Sequence, residues 1–259
     1  MELVDTHCHF NLPPFAADYP EAARRAMDAG ISDMVVVGCD VGSSRLALEM
    51  AEEYDCLWAA VGIHPCDAQD ATAEAVEQIG ELAAHPRVVA IGESGLDFVC
   101  DGPSRQVQRT AFEEFINMAA DLDKAFIIHS RQGETNTEVL ELLAQTKSPQ
   151  QRVVRHCFTE DTALLNDYSA QGCYISIAGN VTYPGNQELR EAVKAAPADK
   201  IVLETDCPGL PPQSHRGKRN EPALMVETAQ KIAQVRGVSV EQIAAQSTAN
   251  ARTLLSLPA

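Results

Sequence analysis

Short runs of apolar, often β-branched residues alternate along the chain with longer stretches whose apolar positions recur at helical spacing. The period is roughly 25–35 residues, as repeated βα units produce. The short runs predict strands at Leu3–Asp5, Met34–Val37, Leu57–Val61, Val88–Ile91, Phe126–Ile128, Val153–Arg155, Tyr174–Ile177 and Ile201–Leu203. Helices are predicted between them at Pro20–Ala29, Ser43–Tyr54, Ala71–Ala84, Ser104–Leu122, Glu134–Leu143, Asp161–Ala170 and Gln187–Ala196. Pro222–Val235 and Val240–Leu255 close the chain. The first helix ends at Gly30, where a left-handed residue suits the C-terminal cap. Eight strands alternating with helices in 259 residues favour a single (β/α)8 TIM-barrel domain over residues 1–259. A doubly wound sheet usually carries a glycine-rich turn after its first strand; this chain has two histidines there.

The residues that follow the strands carry the chemistry. After the first come His7 and His9, after the third His64, after the fourth Glu93, after the fifth His129 and Arg131, after the sixth His156, and after the eighth Asp206. Residues i and i+2 of a strand share a face, so His7 and His9 can converge on one cation while Cys8 points away. In a barrel the strand C-termini share one face, where catalytic groups gather. Five of the seven histidines fall there, whereas scattered histidines would fall mostly in helices and loops. Imidazole and carboxylate together form a ligand set for Zn²⁺, Mn²⁺ or Mg²⁺ at a catalytic site. His64 set aside, the six others are too many for one ion with an open position and suit two ions bridged by one carboxylate. Glu93, flanked by glycine-rich backbone, is the bridging candidate.

Composition narrows the class. A net charge of −17 excludes a basic surface that grips nucleic acid indiscriminately, so attraction to a polyanion must be local. No apolar run approaches the roughly 18 residues of a membrane span, and the N-terminus lacks a secretory pattern. These features predict a soluble cytoplasmic protein with no membrane or obligate protein partner. Eight cysteines are scattered without a Cys-x-x-Cys pair, which predicts free thiols packed as small apolar groups.

In order and identity, Asp5-Thr6-His7-Cys8-His9, Gly62-Ile63-His64-Pro65, Gly92-Glu93-Ser94-Gly95-Leu96-Asp97, Ile128-His129-Ser130-Arg131, His156-Cys157-Phe158, Glu204-Thr205-Asp206 and Arg216-Gly217-Lys218-Arg219-Asn220-Glu221-Pro222 are distinctive. With them the chain resembles the TatD family of metal-dependent hydrolases, among the amidohydrolase-like metallo-barrels. The resemblance implies two divalent ions, one on His7, His9 and Asp206, the other on His129 and His156, with Glu93 shared. It implies a deoxyribonuclease, a 3′-5′ exonuclease acting on phosphodiesters, with nucleic acid (a DNA end or tRNA) as substrate. The chain departs from many relatives at Cys66, Gln132 and Thr159-Glu160, beside the ligands and not on them.

Asp206 is read as a ligand that also takes the proton of the attacking water, and Glu93 as its catalytic companion. Asp5 is placed behind the ligands to orient an imidazole, and Glu204 as a buried hydrogen-bond partner. His64, Arg131, Arg216 and Lys218 are the candidate substrate-binding residues, the last two on a basic loop with Arg219. For each, turn geometry or a solvated charge run is the competing reading. Asp97 either holds Arg131 or caps a loop. With only 5% aromatic residues no stacking platform stands out. Rival functions are ester hydrolysis, such as deacylation of D-aminoacyl-tRNA, hydrolysis of small amides or lactones, and a non-catalytic metal-binding or interaction protein.

Overall fold

The computed structural model describes residues 1–131 and 133–258. Its strands are β1 (Leu3–Cys8), β2 (Ile31–Val37), β3 (Leu57–Val61), β4 (Val88–Asp97), β5 (Ala125–Arg131), β6 (Val153–Arg155), β7 (Tyr174–Ile177) and β8 (Ile201–Leu203). The helices are α1 (Tyr19–Ala29), α2 (Val41–Glu53), α3 (Ala73–Ala83), α4 (Arg105–Asp121), α5 (Gly133–Thr146), α6 (Thr162–Ala170), α7 (Gln187–Ala195), α8 (Met225–Arg236) and α9 (Val240–Leu255). The eight strands form one sheet in the order β1 to β8, with a helix after each, which is the (β/α)8 topology that the alternating pattern predicts. Strands buried on both faces read largely as apolar runs, broken where they carry the buried polar groups of the site. Every residue of β1 and β4 is buried. Among the described residues no helix is long and apolar enough to cross a membrane.

Two compact units are distinguished: Met1–Val35 with Cys157–Ala259, and Val36–His156. In the first, α9 docks by side chain onto the starts of β1 and β8. Thr248 Oγ1 donates to the Glu2 carbonyl at 2.9 Å, and Asn250 Nδ2 to the Ile201 carbonyl at 2.7 Å. In the second, Arg87, just before β4, ties the start of that strand to the end of α2, donating from Nε to the Ala51 carbonyl at 2.8 Å and from Nη2 to the Tyr54 carbonyl at 3.0 Å.

Several element boundaries follow from caps. Gly30 takes the left-handed conformation after α1 (φ 98°), as expected. Thr72 caps α3 by accepting from the Ala75 amide, so that helix begins two residues later than the periodicity suggests. Asp40 and Ser43 form a reciprocal capping box at α2, and Ser43 Oγ also accepts from the Cys39 amide at 2.9 Å.

The main departure from expectation is β4, which does not stop at Ile91 but runs on to Asp97. Its pairing with β5 slips between Ile91 and Ser94: Ile91 faces Phe126 and Ser94 faces Ile128. Three steps on β4 therefore match two on β5, a bulge that contains Gly92 and Glu93. Gly92 has φ 124°, a conformation that side chains rarely adopt. Beyond the bulge, Gly95 lies so close to the His129 backbone that a Cβ there would overlap the His129 carbonyl. A glycine on β4 is thus what lets β5 carry His129 alongside.

A second departure concerns the thiols. Cys66, in the turn after β3, and Cys100, in the loop after β4, form a disulfide rather than packing as free thiols, with Cα atoms 5.8 Å apart. They are 34 residues apart in sequence, and only the approach of two loops pairs them. Loop-closure entropy for a link of this length stabilises the chain by about 3–4 kcal/mol. Cys66→Ser should lower the unfolding free energy in urea by that amount, and a reductant should erase the difference from the unsubstituted chain.

Candidate metal centre

In the first unit β1 carries His7, the chain leaves it through His9, and β8 runs into Asp206. The backbone fixes this junction: the Asp206 amide donates to the His7 carbonyl and the His9 amide to the Cys207 carbonyl, both at 2.9 Å. Three side-chain atoms then converge. His7 Nε2 lies 3.1 Å from His9 Nε2, and Asp206 Oδ1 lies 3.4 Å from His9 Nε2 and 3.8 Å from His7 Nε2. Asp206 adopts a left-handed backbone (φ 52°), unusual outside glycine and held here by the surrounding bonds.

Asp5 stands behind this cluster but does not act as the sequence suggests. Its Oδ1 accepts from the His7 amide at 3.2 Å and the Thr205 amide at 2.9 Å, and its Oδ2 from Thr205 Oγ1 at 2.5 Å. It therefore positions main chain on both sides of the cluster rather than an imidazole ring. Burial pushes its pKa up to about 7 against these three bonds, and the charge of Glu204 adds to the rise. Asn220 completes the junction by donating to the Thr205 carbonyl at 2.9 Å. Glu204, fully buried, accepts from the Cys157 amide at 2.7 Å, where that residue turns through a left-handed conformation (φ 47°).

The second unit holds Glu93 in the β4 bulge, His129 in β5 and His156 after β6. Glu93 Oε2 lies 2.8 Å from His156 Nε2 and 3.3 Å from His129 Nδ1, and those two nitrogens are 3.4 Å apart. On its far side His129 Nε2 lies 3.3 Å from Asp97 Oδ2. A proton on Nε2 directed at Asp97 leaves Nδ1 as the lone-pair donor toward Glu93 and His156. Asp97 serves both roles the sequence left open: its Oδ1 accepts from the Val99 amide at 2.9 Å, and its Oδ2 lies 3.8 Å from Arg131 Nη1. Burial alone would raise its pKa, but the His129 and Val99 bonds and the nearby charges of His129 and Arg131 outweigh burial and hold it near 2.

The donor chemistry of both clusters fits a divalent cation. Ligand atoms about 2.0–2.2 Å from one tetrahedral ion lie roughly 3.3–3.6 Å from each other. The separations of 3.1, 3.4 and 3.8 Å in one cluster and 2.8, 3.3 and 3.4 Å in the other bracket that range. Each cluster also faces two imidazole nitrogens and a carboxylate oxygen toward one point. Because Asp97 fixes the His129 tautomer, Asp97→Ala should raise the Kd for Mn²⁺ or Zn²⁺ about 10–100-fold in competition with a fluorescent chelator.

His64 lies against His129, with ring centroids 4.3 Å apart, and its Nδ1 accepts from the Cys66 amide at 3.2 Å. Burial lowers its pKa to about 4, opposed by the charge of Glu93 and supported by the neighbouring His129 and His156. A neutral ring with Nδ1 occupied carries its proton on Nε2, so His64 can donate one hydrogen bond. Arg131 is exposed at 65% of its side chain. In the first unit the basic loop divides. Arg219 pairs with Asp18 at 2.7 Å and packs over Phe15, and Glu221 pairs with Arg25 at 2.6 Å. Arg216 and Lys218 stay exposed, Arg216 over the Tyr183 ring. Gln132 lies outside the described residues.

Two supporting residues escaped the sequence reading. Cys39, just past β2, donates from Sγ to Glu93 Oε1 at 3.7 Å. Its position after a strand was the available signal. Arg155, buried inside β6, donates from Nη2 to the Ser130 carbonyl at 2.6 Å and from Nη1 to the His156 carbonyl, bracing the main chain beside both histidines. A buried arginine in a three-residue apolar strand was its signal.

Comparison with known proteins agrees with these features. The family model described as TatD related DNase matches residues 4–256. The metal-dependent hydrolase YabD of Bacillus subtilis strain 168 is 37% identical over 255 residues, covering 98% of this chain and 99% of that protein. The 3′-5′ ssDNA/RNA exonuclease TatD of Erwinia amylovora is 36% identical over 261 residues, covering 98% of this chain and 100% of that protein. Among solved structures, YjjV, a TatD homologue from Escherichia coli K12, superposes with a TM-score of 0.92 at 29% identity, covering 99% of this chain and 98% of that one. The chain belongs to the TatD-related DNase family and is a metal-dependent hydrolase.

Proposed function

We propose that this protein is a divalent-metal-dependent exonuclease that shortens single-stranded nucleic acid from its 3′ end. The observation that carries the reading is the facing of Asp206 Oδ1 to the two imidazole nitrogens of His7 and His9, at 3.8 and 3.4 Å. Such a carboxylate can both hold a cation and accept a proton beside it. The names of relatives such as the Erwinia amylovora exonuclease support the choice of substrate. In this reading His7, His9 and Asp206 hold one ion, His129 and His156 a second, and Glu93 serves both. When bound, the ions supply positive charge against the phosphodiester's developing negative charge and acidify the attacking water.

The chain's own residues do the rest. Asp206 takes the water's proton at a carboxylate oxygen as the O–P bond forms, and the P–O3′ bond to the penultimate nucleotide breaks, the departing O3′ taking a proton from solvent. His64 donates from Nε2 to a non-bridging phosphate oxygen. Arg131 pairs with the same phosphate through its guanidinium, a geometry that suits bidentate contact. Asp97 holds both His129 and Arg131, so cation ligand and phosphate anchor share one carboxylate.

The test uses protein of measured metal content with single-stranded DNA, duplex DNA and D-aminoacyl-tRNA. A 5′-labelled single strand should shorten stepwise, and a 3′-labelled one should release its label at once as a mononucleotide. Intact DNA with freed amino acid would replace this reading with the deacylase. No turnover of any of the three by the metal-loaded protein would leave only its family membership.

A further inference from the structure

We propose that Tyr183 and Arg216 form a shelf on which one unpaired base of the single strand stacks. The inference rests on the nucleic-acid reading above and concerns how that substrate is selected. Two loops of the first unit build the shelf: the segment after β7, which includes the 3₁₀ turn Gly179–Thr182, and the segment after β8, which begins with the Asp206 junction.

The two loops are tied together at three points. The Gln213 amide donates to Thr182 Oγ1 at 2.7 Å, and Tyr183 Oη donates to the Pro211 carbonyl at 2.8 Å. Gly179 packs so tightly that a Cβ there would lie 2.9 Å from the Pro212 nitrogen. The main chain of Tyr183 is fixed as well, because Arg190 Nη1 donates to its carbonyl at 2.5 Å. The ring is thereby held at both its hydroxyl and its backbone. Over it lies the Arg216 guanidinium, its central carbon 4.2 Å from the ring centroid.

What sets this pair apart is the state of its cation. In the other cation–aromatic pairs among the described residues, the cation is committed elsewhere. Arg105 over Phe98 pairs with Glu134 and Glu138, Arg219 over Phe15 with Asp18, and Arg87 over Trp58 binds backbone carbonyls. Lys200 over Tyr174 donates to the Gly172 carbonyl. Arg216 makes no side-chain hydrogen bond or ion pair among the described residues, in a chain of net charge −17 rich in carboxylates. A guanidinium stacked on a phenol ring is desolvated on one face, planar, and open on the other face and edge. A nucleobase can stack on that open face. Duplex bases already stack on one another, so such a shelf favours a single strand.

The test compares holoenzyme variants Arg216→Ala, Arg216→Lys and Tyr183→Leu on oligothymidylate and on an abasic strand of equal length and charge. A 2-aminopurine base near the 3′ end reports stacking by its quenching. The KM for oligothymidylate should rise about 10–100-fold in all three variants, with Arg216→Lys no better than Arg216→Ala, and the quenching should be lost. The KM for the abasic strand should move less than about threefold. If Arg216→Lys restores binding, or both substrates weaken equally, Arg216 is a phosphate contact and the shelf is overturned. Cleavage by the unsubstituted protein without quenching overturns the shelf alone. Neither cleavage nor quenching overturns the nuclease reading as well. Thermal melting of each variant identifies any that fails to fold, in which case the lysine variant, which keeps the charge, decides.

Discussion

Asp206→Asn should lower kcat for single-stranded DNA by at least about 10³-fold, with the protein still folded. The substitution keeps the shape of a carboxylate and removes its charge and basicity. Two losses then combine. The amide is a poor cation ligand beside His7 and His9, and it cannot accept the attacking water's proton, a step usually worth about 10²–10⁴ in rate. The left-handed backbone at residue 206 tolerates asparagine as readily as aspartate, so the junction between β1 and β8 should survive. Steady-state kinetics with metal content and melting temperature measured in parallel separate these effects. Activity within tenfold of the unsubstituted protein would remove Asp206 from the reaction.

Glu93→Gln should have an effect of similar size by another route. Glu93 Oε2 touches both His129 and His156, and its Oε1 takes the Cys39 thiol hydrogen bond. Neutralising it leaves the buried His156 and half-buried His129 imidazoles facing one another without the anion that favours a cation between them. The second ion should be lost on dialysis, and kcat should fall at least about 10²-fold. The metal-dependent rise in melting temperature should shrink too, since a ligand that binds only the folded state stabilises by mass action. Retention of full metal content would show that Glu93 is not a ligand.

Much of this was legible in the sequence, for physical reasons that differ by element. Strands such as β3, β6, β7 and β8 appeared at their observed bounds because two-sided burial demands unbroken apolar runs between polar turns. The same feature hid the true length of β4. A strand buried on both faces has no alternation to mark register, so nothing in Gly92-Glu93-Ser94-Gly95 distinguishes a loop from a bulged strand. The candidate ligands were visible because they follow the strands one after another, a regularity that needs no knowledge of distances.

Partner choice was another matter. Arg219 looked like part of a basic loop, yet its charge is spent on Asp18, 201 residues away. The Cys66–Cys100 link and the Tyr183–Arg216 stack likewise join separate loops whose approach no local spacing encodes. Asp5 was placed behind the ligands but assigned the wrong partner, because strand parity gives the side a residue faces and not which group it meets there.

The most direct test of the central claim is anomalous diffraction from crystals of the protein grown with Mn²⁺. The expected result is strong anomalous density between His7, His9 and Asp206, and again beside His129 and His156, with Glu93 in contact with both ions. Protein that cleaves DNA at full rate while showing no density at either cluster would contradict it.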